Sequence, residues 1–228
     1  MKNTAVSNPV IAKWASVSII ILIAAWPFLR LLKFPFSLPA LALLLTVGVC
    51  LLCRSISSIG FRKPPSAKRF FILVIVSFIV TELLFDLLLQ PLTNRLFNEP
   101  ADYSVFAALR NNTPLFLKFI AYTWLSAAIA EEIIYRGILV FLLEKTGLKS
   151  VYTIVAQALV FASAHFYQGW SGLLITFLFG LAFGIIYQKS NRSIWVVILV
   201  HGLVDSLFLI LAYTGQLQWY EDPFAVLF

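Results

Sequence analysis

The chain has 228 residues, 61% of them hydrophobic and only 12% charged, with a mean hydropathy of +0.94. A chain of that length has no single core able to hide so much apolar surface, so its solvent is lipid and a soluble class is excluded. The net charge of +7 reads as the Lys and Arg excess of cytoplasmic loops; no basic stripe with interleaved aromatics lies outside the apolar runs, so no nucleic-acid partner is expected.

In chain order the apolar runs predict about seven helices, each near the roughly 20 residues that cross a hydrocarbon core. The first covers about 10–30, the second about 37–53 and the third about 69–90, ended by Pro91. The fourth covers about 115–143, the fifth about 151–167, the sixth about 171–188 and the seventh about 194–213. Lys2 and Lys13 precede the first run, which leads straight into further spans and reads as an uncleaved first helix. Cys50 and Cys53 form a CxxC at the end of the second, where they read as small apolar fillers. Residues 91–114, with Pro100, Asn111, Asn112 and Pro114, form the one long connection, part of which suits a short interfacial helix. The fold class is therefore all-α, a polytopic transmembrane helical bundle of about seven to eight spans. It is read as a single integral membrane domain over 1–228: N-terminal spans and loop at 1–114, chemistry-bearing helices at 115–213, and a tail at 214–228.

Basic residues set the expected orientation. Arg54, Arg62, Lys63, Lys68 and Arg69 crowd the loop between spans two and three. With that loop inside, Lys2, Lys13, Lys145, Lys149, Lys189 and Arg192 also fall inside, whereas Arg30, Lys33, Arg95, Arg110 and Lys118 fall outside. The N-terminus is then cytoplasmic and, for seven spans, the tail with Glu221 and Asp222 is outside.

Three apolar segments carry ionisable residues that are expensive at membrane depth and face a bundle interior or an aqueous cavity. In Glu131-Glu132-Ile133-Ile134-Tyr135-Arg136, Glu132 and Arg136 are four apart, share a helix face and can neutralise one another. Glu131 points elsewhere and has no local cation, the setting of a general base or acid. A purely structural charge cluster is the plainer alternative. Phe161 and His165 are four apart on a second helix; a lone membrane histidine is commonly a helix-to-helix hydrogen-bond donor. His201 and Asp205 are four apart on a third, where a local His–Asp hydrogen bond would satisfy both. Glu82 and Asp86, four apart on span three, read as a polar patch facing protein, with a substrate path or a partner such as Lys118 as alternatives. Ser163 and Ser206 lie in no G-x-S-x-G context and read as packing residues.

Together these spacings resemble the CAAX-protease and bacteriocin-processing family of glutamic intramembrane proteases, whose pattern is EExxxR, then FxxxH, then HxxxN or HxxxD. The match runs over roughly residues 115–213. The resemblance implies a membrane-embedded endopeptidase with no metal or cofactor. Glu131 and His165 would hold and activate a water, His201 and Asp205 would form the oxyanion site, and Glu132, Arg136 and Phe161 would shape it. The partners implied are the lipid bilayer and a membrane-associated protein or peptide substrate: a prenylated tail, a pheromone or bacteriocin, or a sorting segment. Because Asp205 stands where the best-studied relatives carry Asn, and an ionised Asp repels an oxyanion, Asp205 is expected to orient His201 while His201 donates. Two other readings stay open: a zinc-dependent protease using the same residues, although no H-E-x-x-H occurs, and a transporter or non-catalytic immunity or scaffold protein. One tension remains: His165 falls near the outer end of span five and Glu131 nearer the inner end of span four, unless Phe166 to Gly172 turns back within the membrane.

Overall fold

The computed structural model describes residues 9–29, 37–53, 55–62 and 66–218. Lys2, Arg30, Lys33, Arg54, Lys63, Glu221 and Asp222 lie outside them, as do the side chains of Lys13 and Cys53. The described chain is helical throughout, with no strand among those residues. Helix α1 is Pro9–Leu29 and α2 is Ser37–Cys53. Helix α3 runs continuously over Ala67–Phe97. Helix α4 covers residues 113–145, α5 is Ser150–Ser163, α6 is Gly169–Lys189 and α7 is Ile194–Thr214.

Three helical stretches, Ala67–Phe97, Phe166–Lys189 and Ile194–Thr214, are long and apolar enough to cross a membrane, and Trp14–Pro27, Ser37–Leu51 and Ser150–Ser163 are shorter apolar helices. The outward face of α3 carries Phe71, Ile72, Ile75, Ile79, Leu83 and Leu87, all exposed. Bare apolar surface on that scale is stable only against lipid; this is an integral membrane protein.

Two departures from the expected helix limits have physical causes. Pro91 does not end the third helix, which continues to Phe97. Just before it, Phe85–Leu89 is wound as a π-turn. A wide turn there relieves the clash between a proline ring and the carbonyl four residues back. The long connection accordingly shrinks to residues 98–112, with a 3₁₀ turn at Ser104–Leu109. In α4, Trp124–Leu139 is wound as a π-helix over 16 residues, which periodicity at 3.6 residues per turn does not reveal.

Short connections make α4 to α7 antiparallel neighbours. One end of the bundle gathers Gly60, whose carbonyl accepts from Ile194 N at 2.9 Å, and the pair Arg192–Glu144, with Nη1 to Oε2 at 2.7 Å. Gly60 has φ +93°, a conformation that costs glycine nothing. At the opposite end Glu99 Oε1 accepts from Trp170 N at 2.7 Å and Tyr213 O from Asn111 N at 3.0 Å. Counted from the first end, Glu131 stands 14 residues into α4 and His165 lies 15 residues beyond Ser150. The depth conflict therefore disappears: α5 is only 14 residues long, and its far end reaches the level of Glu131. The turn after it is the 3₁₀ segment Phe166–Gln168, and α6 begins at Gly169, earlier than expected.

Small residues set the close approaches that membrane helices favour. A Cβ on Gly180 would lie 2.9 Å from Ala158 Cα, so α5 and α6 touch there backbone to backbone. Gly180→Leu is expected to force them apart and cost about 1–3 kcal/mol, read as a lowered Tm in detergent; an unchanged Tm would contradict this packing.

Candidate active site

Every ionisable residue singled out on the three polar segments meets in one region. Glu131 from α4, His165 just past α5, and His201 and Asp205 from α7 line a single cavity of about 490 Å³. Its wall is completed by Trp26 and Leu38 from α1 and α2, Phe85, Asp86 and Gln90 from α3, and Tyr103 and Phe106 from the connection. The N-terminal helices thus supply one side of the chamber, and α4, the turn after α5 and α7 carry Glu131, His165, His201 and Asp205.

Glu132 and Arg136 sit behind that wall, both fully buried. Arg136 Nη1 donates to Glu132 Oε1 at 2.9 Å. The guanidinium carbon lies 4.3 Å from the Phe161 ring centre and 5.3 Å from that of Phe183. A buried charge with a paired carboxylate and aromatic faces above it tolerates its loss of water. Phe161 also meets Tyr135 edge-on at 5.2 Å and His165 at 5.0 Å, so it is the post around which the arginine and the two histidine-bearing segments are set.

The same Glu132 oxygen accepts from His201 Nδ1 at 2.7 Å. A carboxylate only accepts, so this contact places a proton on Nδ1 and turns Nε2 toward Asp205, whose Oδ2 is 3.5 Å away. Beside the expected contact with Asp205, His201 makes a second and shorter one with Glu132. Spacing within one segment shows i, i+4 partners, so the Glu132–Arg136 pair was readable, whereas a bond between α4 and α7 has no local signature. His201 is further fixed by the rings of Phe179 and Phe183, at 5.8 and 5.4 Å.

His165 is half-buried, its Nδ1 3.2 Å from the carbonyl of Phe161. That contact leaves Nε2 as the nitrogen free to face the cavity. The position is held by the turn that follows: Gln168 N bonds His165 O at 2.9 Å, and Asp102 N bonds Gln168 O at 3.2 Å. Gly202 lets the Trp124 ring pack against α7, since a Cβ there would lie 2.5 Å from the ring; Trp124 Nε1 donates to Ser206 Oγ at 3.0 Å. Among the described residues no three His, Cys, Asp or Glu side chains are arranged to hold a metal ion. Gln90, Tyr103 and Gln168, which line the chamber, lay in segments whose sequence gave no catalytic pattern.

Fold and site together define a membrane helical bundle with a buried acid–histidine chamber. Residues 113–207, a stretch that holds all of Glu131, His165, His201 and Asp205, match the family model described as Type II CAAX prenyl endopeptidase Rce1-like. No curated protein and no solved structure matches the chain.

Proposed function

We propose that this protein is an intramembrane glutamic endopeptidase that hydrolyses a peptide bond of a membrane-associated protein or peptide. The observation that carries the reading is the convergence of Glu131, His165, His201 and Asp205 on one cavity, within a stretch that matches a CAAX-protease model.

In this reading a water is held between Glu131 and His165. Glu131 takes one of its protons, the hydroxide attacks the peptide carbonyl, and the carbonyl oxygen gains negative charge. His201, fixed through Nδ1 by Glu132, donates from Nε2 to that oxygen when the ring carries both protons. The proton held by Glu131 then passes to the leaving amine. Asp205 assists from the far side of Nε2. Its charge is expected to be dispensable: Asp205→Asn should keep appreciable activity and His201→Ala should lose nearly all of it, with cleavage of a reporter peptide in detergent as the measurement. Activity is also expected to survive a strong chelator, and loss of activity restored by zinc would overturn the metal-free mechanism.

The bundle is read as multi-pass, with about seven crossings and the N-terminus cytoplasmic. The matching family is described as a CAAX prenyl endopeptidase, which supports a prenylated substrate, and the aromatic side of the chamber, with Trp26, Phe106 and Phe119, suits an apolar chain. Comparing the new peptide ends in membranes from cells carrying the native chain with those carrying Glu131→Gln tests the activity and finds the substrate. Identical sets of peptide ends would refute it.

A further inference from the structure

The chamber wall holds a hydroxyl that peptide hydrolysis as described above does not use. Tyr135 lines the chamber, and only 3% of its surface is exposed. Packing accounts for its ring, which meets Phe161 edge-on at 5.2 Å and belongs to the apolar cluster with Ile23, Leu41 and Ala42. Packing does not account for the hydroxyl, which makes no hydrogen bond among the described residues. Nor is its oxygen sealed away like the unmet Glu132 Oε2 and Arg136 Nε; the chamber is what it opens to. A buried phenol normally meets a partner, and a phenylalanine would fill the same space without an unmet donor.

The surroundings of that hydroxyl indicate what it meets. Glu132 and Arg136 show that residues four apart touch along this stretch of α4, at 2.9 Å. Glu131 and Tyr135 have the same spacing one residue earlier, and both line the chamber while the other pair sits behind it. They are near enough for a charge on one to be felt by the other, yet no direct hydrogen bond joins them. His165 packs on the same Phe161 ring, at 5.0 Å, with its Nδ1 engaged by the Phe161 carbonyl. A carboxylate, an imidazole nitrogen and a phenol thus open on one space with no hydrogen bond among them. Water, with two hydrogens to give and two lone pairs to offer, is the molecule that satisfies all three.

We propose that Tyr135 is a further catalytic residue, whose hydroxyl donates to the water that Glu131 and His165 hold. The inference rests on the protease reading. The two hydrogens of the water go to Glu131 and to Nε2 of His165. The Tyr135 hydroxyl takes one lone pair, and the other is left aimed at the peptide carbonyl carbon. As Glu131 removes a proton, negative charge gathers on the water oxygen, and the Tyr135 donor already points at it. Tyr135 keeps its own proton throughout. The bond that forms is still carbon to oxygen, the bond that breaks is carbon to nitrogen, and the proton on Glu131 still leaves with the amine.

The test uses the full-length protein in detergent and a fluorescent peptide carrying one apolar membrane anchor. Tyr135→Phe removes one oxygen and keeps the ring. It is expected to lower kcat about ten- to hundredfold, the worth of one hydrogen bond to a charged group, with KM and Tm unchanged. Tyr135→Leu also loses the Phe161 contact and is expected to lower the Tm as well, which marks the signature of a structural role. A folded Tyr135→Phe protein with native kcat overturns the proposal, as does a loss confined to KM. Structures of both proteins in lipid, at a resolution that shows ordered water, give a readout independent of activity. In the native chain one water is expected within hydrogen-bonding distance of Tyr135 Oη, Glu131 and His165, and in Tyr135→Phe it is lost or displaced. That water in a native chain that cleaves nothing refutes the hydrolysis and keeps the water site. Cleavage by a native chain with no water against Tyr135 Oη refutes the part given to Tyr135 and keeps the hydrolysis. Absence of both refutes both. A water whose loss leaves kcat unchanged is structural only, and that result also overturns the proposal.

Discussion

Glu131→Gln is expected to reduce peptide cleavage by about 10²–10⁴-fold, the range a general base contributes, while leaving the protein folded. Glutamine keeps the size and shape of the side chain but cannot take a proton from water. The fold has little stake in the carboxylate itself: the charge pairing of this segment runs through Glu132 and Arg136, at 2.9 Å, whereas Glu131 lines the cavity. The measurement is single-turnover cleavage of a membrane-anchored peptide, alongside elution volume and Tm in the same detergent. Native-like cleavage by a well-folded Glu131→Gln protein would remove Glu131 from the chemistry and, with it, the mechanism proposed here.

Arg136→Met is expected to act in the opposite sense, through stability first. It leaves Glu132 fully buried beside His201 with its strongest cation gone, a change that costs about 3–5 kcal/mol when one member of a buried pair is removed. The flat contacts with Phe161 and Phe183 are lost as well. Adding Glu132→Gln to Arg136→Met removes the stranded charge and is expected to recover a good part of the Tm, because well-packed neutral groups often replace a buried pair without penalty. Activity should not recover with it, since His201 Nδ1 then faces an amide instead of the carboxylate 2.7 Å away. A double variant that regains stability and turnover together would show that Glu132 serves only to neutralise Arg136.

Much of this site could be read from the chain because each local pair is four residues apart. Glu132 with Arg136, Phe161 with His165 and His201 with Asp205 each touch in the structure. Membrane depth added the second clue, since a charged residue in an apolar run needs a reason to be there. What could not be read depends on winding and on neighbours. The π-turn at Phe85–Leu89 carries the helix through Pro91, and nothing in composition separates it from an ordinary helical stop. The bond from Glu132 to His201 spans 69 residues and exists only because α4 and α7 lie side by side. Glu82 and Asp86 were visible as a pair, but that Asp86 opens onto the same chamber as Glu131 follows from where α3 packs, which spacing does not encode.

The brevity of α5 bears on how the proposed hydrolysis, buried in oil, obtains its co-reactant. Fourteen residues rise about 21 Å, well short of a hydrocarbon layer about 30 Å thick. In the proposed multi-pass reading, lipid beside that helix dimples inward toward Phe166–Gln168, shortening the distance from bulk solvent to His165. On the proposed activity, water then reaches the site from a local hollow in the bilayer surface, and lipids with longer acyl chains, which resist such thinning, are expected to slow turnover.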